Sequence, residues 1–267
     1  MGAVGAALGT TLSQLLSVIV SLVFITKRKS EIPFAVKYLK PDKKTVLALL
    51  RVGVPVCLQD GFIQISFIII TIIANRRGLT DTAAVGIVEK IIGFMFLVPS
   101  SMLSAVSALA AQNFGANKPE RAKQSLKYAI AISTGIGFCA AVAVQFAAEP
   151  VVSLFTSDLA VIRAGGQYFR GYVRDSCIGG IQFSFSGYFC ACGRSELSFL
   201  HNIISIVFVR IPGAFLASKL FADTLLPMGF ASTAGSLVST IVCLIAFAII
   251  TKNGADPTVR ARKKAAA

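Results

Sequence analysis

Residues 225–250 read LLPMGFASTAGSLVSTIVCLIAFAII, without a single charged side chain. A run of this length is about what an α-helix needs to cross roughly 30 Å of hydrocarbon at 1.5 Å per residue. A helix apolar on every face has no water-facing side, so this one is surrounded by lipid or by other membrane helices. Small residues recur along it at four-residue spacing, Gly229 with Thr233 and Ser232 with Ser236 and Thr240. That spacing lets neighbouring helices approach closely.

Six more runs of comparable length lie upstream, near 2–25, 54–74, 83–111, 126–148, 164–192 and 197–218. Composition agrees: 55% of the 267 residues are hydrophobic and 14% are charged, where a soluble domain carries roughly a quarter charged. The expected fold class is an all-α integral membrane protein of about seven transmembrane helices, with the bilayer as its main surrounding.

The net charge of +14 would suit a nucleic-acid partner, but the positions of the basic residues argue against one. Lys27, Arg28, Lys29, Lys37, Lys40, Lys43 and Lys44 follow the first run; Lys118, Arg121, Lys123 and Lys127 follow the third; Arg194, Lys252, Arg260, Arg262, Lys263 and Lys264 complete that side. Strict alternation of seven spans puts these 17 on one face and only Arg76, Arg77, Arg163 and Lys219, which makes 4, on the other. The positive-inside rule then places the amino terminus outside and the tail in the cytoplasm. No basic residue precedes the first run, which is also too long for a signal-peptide core, so it is read as a retained span. An outward amino terminus with no targeting segment leads to the expectation that further sequence precedes Met1.

Between the first two spans, 26–53 forms a basic cytoplasmic loop in which Pro41 to Arg51 has the pattern of an interfacial helix. Residues 54–250 hold six spans, and 251–267 form a basic tail. Asn117-Lys-Pro-Glu120 offers a capping residue, an early proline and a glutamate, the signature of a helix start. Met1-Gly-Ala-Val-Gly-Ala-Ala7 echoes Met228-Gly-Phe-Ala-Ser-Thr-Ala234, as if the first and last spans were equivalent members of two repeats.

Each ionisable group within a span costs about 2.5–3.5 kcal/mol on insertion scales and so needs a reason. Asp60 and Asp175 both fall near mid-depth, where secondary transporters hold ions and substrate. They are the candidate ion-coupling carboxylates, for Na⁺ or H⁺, and Asp60→Asn is expected to harm coupling more than Asp175→Asn. Arg170 and Arg174 offer Asp175 a structural ion pair instead. Gln64 lies one turn from Asp60 on the same face, and with Gln59 and Gln182 it is a candidate substrate-binding residue. Glu89 and Lys90 read as a mutually compensating or snorkelling pair, Pro99 as a kink or hinge, and His201 and Arg210 as helix-packing or interfacial groups. The six cysteines all lie in apolar runs, and Cys190-x-Cys192 has no second pair at ligand spacing, so neither a disulfide framework nor a metal site is read. No HExxH, GxSxG or P-loop occurs, which speaks against an enzyme, and no cofactor is expected.

Five strings taken together, Gly2-Ala-Val-Gly-Ala-Ala-Leu-Gly-Thr-Thr-Leu-Ser-Gln14, Arg51-Val-Gly-Val-Pro55, Ala110-Ala-Gln-Asn-Phe-Gly-Ala116, Gly187-Tyr-Phe-Cys-Ala-Cys-Gly193 and Arg210-Ile-Pro212, resemble the multidrug and toxic compound extrusion (MATE) family, in its bacterial, clostridial-type form. The resemblance covers essentially the whole chain. It implies a two-lobed multidrug efflux antiporter of the bacterial inner membrane that exchanges Na⁺ or H⁺ for small organic, often cationic, xenobiotics. On that map residues 1–25 are the last helix of the first lobe and 54–250 the second lobe. The missing first lobe, or a second half-transporter chain, is then an expected partner. Within the matching strings Tyr188 is expected at the substrate and Gln112 in a structural or gating role. Some members carry a glutamate where Ile63 stands here, so that part of their cation site does not transfer. Two other readings remain: a flippase for lipid-linked sugars of the same superfamily, to which Arg170 and Arg174 point, and a non-transporting seven-span receptor or scaffold.

Overall fold

The computed structural model describes residues 2–27 and 42–252, which fold into α-helices and one π-helical segment, with no strand among the described residues. Met1 of the repeat echo, most of the basic loop and the tail beyond Lys252 lie outside the described residues. Two compact units divide the chain, Met1–Leu47 and Ala48–Ala267. The first contains α1 (Gly2–Lys27), whose Leu8, Leu12, Leu16, Ile19 and Phe24 are all exposed. An apolar helix with such a surface needs lipid around it.

The helix α2 (Lys43–Asn75) begins on Asp42, whose carboxylate accepts hydrogen bonds from Thr45 N at 3.0 Å and from its hydroxyl at 2.9 Å. That is an N-cap arrangement, and the two bonds hold the Asp42 carboxyl below the usual carboxylate range. The segment expected as a separate interfacial helix therefore runs without a break into the second span. Pro55 sits inside α2 and does not end it. Its missing N–H frees the Arg51 carbonyl, which accepts instead from Ser195 Oγ at 3.2 Å.

The remaining helices are α3 (Leu79–Met95), α4 (Leu97–Gly115), α5 (Pro119–Ser153), α6 (Leu159–Tyr172), α7 (Asp175–Ala191), α8 (Ser195–Ser205), α9 (Ile211–Leu220) and α10 (Leu226–Lys252), with the π-helical segment Ile206–Arg210 joining α8 to α9. Six helical stretches among the described residues are long and apolar enough to cross a membrane: Ala7–Ile25, Lys43–Asn75, Leu79–Gly115, Pro119–Ser153, Ser195–Leu220 and Leu226–Lys252. The expected span at 164–192 is instead two shorter helices, α6 and α7. Val173 and Arg174 join them through tightened i→i−3 hydrogen bonds, Ser176 N to Val173 O at 3.0 Å and Cys177 N to Arg174 O at 3.3 Å. Pro99 cannot donate to the carbonyl four residues back, and the helix breaks at Phe96.

Asn117 does not cap α5. It takes a left-handed conformation with φ 56° and closes α4, since Lys118 N reaches back to Asn113 O at 2.8 Å in a Schellman motif. The α5 cap is Lys118, followed by Pro119 in the first turn.

Two apolar clusters make the core of the second unit. One joins the ends of α2 and α3 to the second half of α5, α6 and the start of α10, around Ile70, Val88, Tyr168, Phe169 and Met228. The other joins α4, the first half of α5 and the ends of α7 and α10, around Val106, Leu126, Phe185, Phe189 and Cys243. Along α10 the residues between them, Ser232, Thr233, Ser236, Ser239 and Thr240, are small, polar and buried. A polar band thus crosses the bundle between two greasy layers, and small side chains permit it. Where α6 crosses α10, a Cβ on Gly229 would lie 2.5 Å from Tyr168 O, and one on Gly171 would lie 2.5 Å from Leu226 O. Only glycine allows backbones that near, as the spacing in 225–250 foretold.

Arg77 does more than add a basic residue between α2 and α3. Its guanidinium donates to Ser218 O at 3.1 Å, Phe221 O at 2.8 Å, Ala222 O at 2.7 Å and Thr224 O at 3.3 Å, and it pairs with Asp81 at 2.6 Å. It therefore ties down the whole α9–α10 connection. Arg77→Met is expected to cost about 1.5–3 kcal/mol, the scale of losing charge-assisted hydrogen bonds at a half-buried site. A thermal melt of the purified variant in detergent checks this, and an unchanged midpoint would reject it.

Candidate functional site

A cavity of about 350 Å³ opens in the polar band and is lined by Asp60 and Gln64 of α2, Asp175 and Gln182 of α7, and Arg210 of the π segment. Phe67, Phe96, Tyr172 and Phe183 add aromatic surface, with Phe96 and Phe183 edge to face at 5.8 Å. The two candidate ion-coupling carboxylates and two of the candidate substrate-binding residues thus converge on one space. Apolar walls with a few placed polar groups are the usual form of a small-molecule site.

The two carboxylates differ in setting. Asp60 is exposed, and it also lines a second groove of about 670 Å³ with Val56, Leu103, Ser107 and Cys190. Asp175 is 1% exposed, and its Oδ1 has no hydrogen-bond partner among the described residues. Ser236 stands within hydrogen-bonding reach of it and accepts from Gln182 Nε2 at 3.1 Å. The α6–α7 joint delivers Asp175 here, because the tightened turn at Val173–Arg174 ends one residue before it.

The arginines expected as partners of Asp175 are engaged elsewhere. Arg170 bonds Glu149 at 3.2 Å, and Arg174 stacks over Phe230 at 4.6 Å. Neither lines the cavity. Among the described residues the cation that does line it is Arg210, read from sequence as a packing or interfacial group. Its Nη2 donates to the Tyr172 hydroxyl, and its guanidinium lies over the Phe67 ring at 4.9 Å and the Tyr172 ring at 5.4 Å. A signal was present: an arginine inside an apolar run, two residues before Pro212. That proline cannot donate to Phe208 O, and the helix widens to π at this point.

Glu89 and Lys90 do not pair with each other within 4.0 Å. Glu89 turns inward and accepts from Thr71 Oγ1 at 3.3 Å, while Lys90 is exposed. Glu89 and Asp175 both lie within electrostatic reach of Arg210.

Three other expected residues stand apart from the cavity. Tyr188 packs in the second apolar cluster, edge to face with Phe114 at 5.6 Å and Phe247 at 5.4 Å. Gln59 is buried away from the cavity, and Gln112 is exposed on α4. The His201 ring bridges Ser186 at 2.9 Å and Ser239 at 2.6 Å, linking α7, α8 and α10.

Comparison with known proteins follows the same lines. The family model MatE matches residues 55–216. "Probable multidrug resistance protein YoeA" of Bacillus subtilis is 31% identical over 161 residues, which cover 59% of this chain and 35% of that protein. "Multidrug export protein MepA" of Staphylococcus aureus is 26% identical over 225 residues, 84% of this chain and 49% of that one. The chain spans about half the length of the curated relatives it matches, or less. Among solved structures, a MATE protein in complex with MaL6 superposes with a TM-score of 0.82 at 20% identity, over 94% of this chain and 58% of that chain. An outward-facing multidrug resistance MATE transporter gives 0.83, also at 20% identity, over 94% and 58%. At that identity the two structures share the fold.

Proposed function

The chain belongs to the MatE family, and from that premise we propose that it supplies the second lobe, and the helix before it, of a multidrug antiporter that exchanges Na⁺ or H⁺ for organic cations. The convergence of Asp60, Gln64, Asp175 and Gln182 on one aromatic-walled cavity carries this reading. Delocalised cations suit such walls, because aromatic faces attract positive charge. Asp175 is the coupling carboxylate and Asp60 the group facing the entrance. When a proton or Na⁺ neutralises Asp175, the cavity loses affinity for a cationic substrate and releases it. Reciprocity requires the bound substrate to weaken the ion by the same factor.

Alternating access rocks one repeat against the other, so this lobe works with a first lobe, in the same polypeptide or in a partner chain. The excess of basic residues on one side supports placement in a bacterial inner membrane with the amino terminus outside and the tail in the cytoplasm. Two measurements test the proposal. In vesicles containing the assembled transporter, ethidium efflux should follow an imposed Na⁺ or H⁺ gradient, and efflux indifferent to both gradients would reject antiport. A single cysteine placed near Lys252 should label only from the cytoplasmic side, and labelling from outside would reverse the orientation.

A further inference from the structure

Apart from the polar cavity, a groove of about 240 Å³ runs between α8 and α10. Its walls are aliphatic, Leu197 and Leu200 on one side and Val242, Ile245 and Ile249 on the other. Leu200, Ile245 and Ile249 are themselves exposed, so the groove opens outward from the bundle. His201 lies against it, but both of its ring nitrogens are engaged with Ser186 and Ser239. Among the described residues the one charged side chain on the groove is Arg194. Gly193, with φ 68°, turns the chain out of α7 so that Arg194 N reaches back to Phe189 O at 2.9 Å, which seats Arg194 at the start of α8. Arg194 is half-buried, and none of the ion pairs among the described residues takes it up. Glu196, the acidic residue of the same turn, is exposed and forms no ion pair with it. More positive charge gathers at this end of the groove. Lys252 comes two positions after Ile250, which lines it, and Arg51 is held beside the start of α8 by Ser195 Oγ on its carbonyl at 3.2 Å.

From Val242 to Ile250 the groove follows α10 for about 12 Å at 1.5 Å per residue, and half of a hydrocarbon core is about 15 Å deep. An apolar channel that starts among basic side chains and descends most of one leaflet has the proportions of a lipid tail below its headgroup. A water-soluble anion would gain nothing from the aliphatic walls. We infer that this groove binds an anionic phospholipid of the cytoplasmic leaflet, with an acyl chain between α8 and α10 and the phosphate on the Arg194 guanidinium. The tail moves from one apolar setting to another, so it contributes position more than affinity. Selectivity comes from the charge-assisted contact of guanidinium with phosphate and from the neighbouring positive charge. The leaflet follows from the proposed orientation, but the site itself needs neither that orientation nor antiport.

The test uses phosphatidylglycerol with a photoactivatable diazirine in one acyl chain, added to the assembled transporter in detergent. Irradiation should label residues 197–200 of α8 and 242–250 of α10. Unlabelled phosphatidylglycerol should suppress that label about fivefold more effectively than phosphatidylcholine, a difference of roughly 1 kcal/mol. Arg194→Gln should remove this preference, and Arg194→Lys should keep it within about twofold. Ile245→Trp fills the groove and should reduce the labelling of 242–250 itself. Arg163→Gln removes an exposed charge in the first turn of α6 and should change nothing. Equal competition by the two lipids would make the label ordinary bilayer contact and overturn the proposal. A preference lost as fully in Arg163→Gln as in Arg194→Gln would assign it to net charge and overturn it too. So would suppression of the label by glycerol phosphate alone, which would mean a site for free phosphate, or cross-links between copies through α10, which would give the groove to a second chain. None of these outcomes draws on efflux, which decides the antiporter reading separately.

Discussion

Asp175→Asn is expected to lower gradient-driven efflux by about tenfold or more in the transporter that contains this lobe, since site-to-site coupling of 1–3 kcal/mol corresponds to roughly 5–150-fold. The amide keeps the shape of the side chain but accepts neither a proton nor the charge of Na⁺. Asp175 is 1% exposed with one oxygen unpartnered among the described residues, so the residue sits where an ion would be held away from water. Asp60 opens onto two cavities and is exposed, which leaves it solvated and more easily replaced. From these settings the expected order of effect is the opposite of the one read from the sequence, and Asp60→Asn should be the milder change. Initial rates of dye efflux, normalised to the amount of transporter, decide this. Near-normal rates for Asp175→Asn would assign that carboxylate to structure, and a larger loss for Asp60→Asn would restore the original order.

Gly187→Leu should prevent the lobe from accumulating in folded form. A Cβ at this position would lie 2.4 Å from the Leu103 carbonyl oxygen and 3.1 Å from its carbon, so α7 and α4 would have to separate. Backbone cannot turn aside as a side chain can. Gly187→Ala adds a single methyl group and should cost about 1–3 kcal/mol, the usual range for overpacking. Gly135→Leu is the matched control, because a Cβ there meets nothing within 4 Å. Fluorescence-detected size exclusion of the three variants provides the comparison. A monodisperse Gly187→Leu peak at the level of the Gly135→Leu control would show that the two helices are not held at that distance.

How much was legible in the sequence depended on range. Span existence was legible because length and hydropathy are local properties, and 225–250 corresponds to α10 within two residues at either end. The Pro99 kink was equally local. The split of the fifth span was not, because Val173 and Arg174 carry no helix breaker and their backbone stays in the right-handed helical region. What tightens there is the hydrogen-bond ladder, and composition does not record it. Depth reckoned from helix ends brought Asp60 and Asp175 to the same level, and the cavity joins them. Rotation about the helix axis was harder to judge. Glu89 was assigned to Lys90 because they are neighbours in sequence, although successive residues on a helix point about 100° apart. Tyr188 was drawn toward the substrate by its motif, yet the tight contact at Gly187 turns that stretch of α7 into core.

The π-helical turn at Ile206–Arg210 carries a consequence for any alignment drawn through this region. Such a turn accommodates one additional residue in an otherwise regular helix, and one residue is worth about 100° of azimuth. A homologue whose equivalent helix is uniformly α needs a one-position gap near Val207, or every side chain of α9 will be matched to a neighbour facing another way. Without that gap, the counterpart of Arg210 would be sought on the wrong side of the helix.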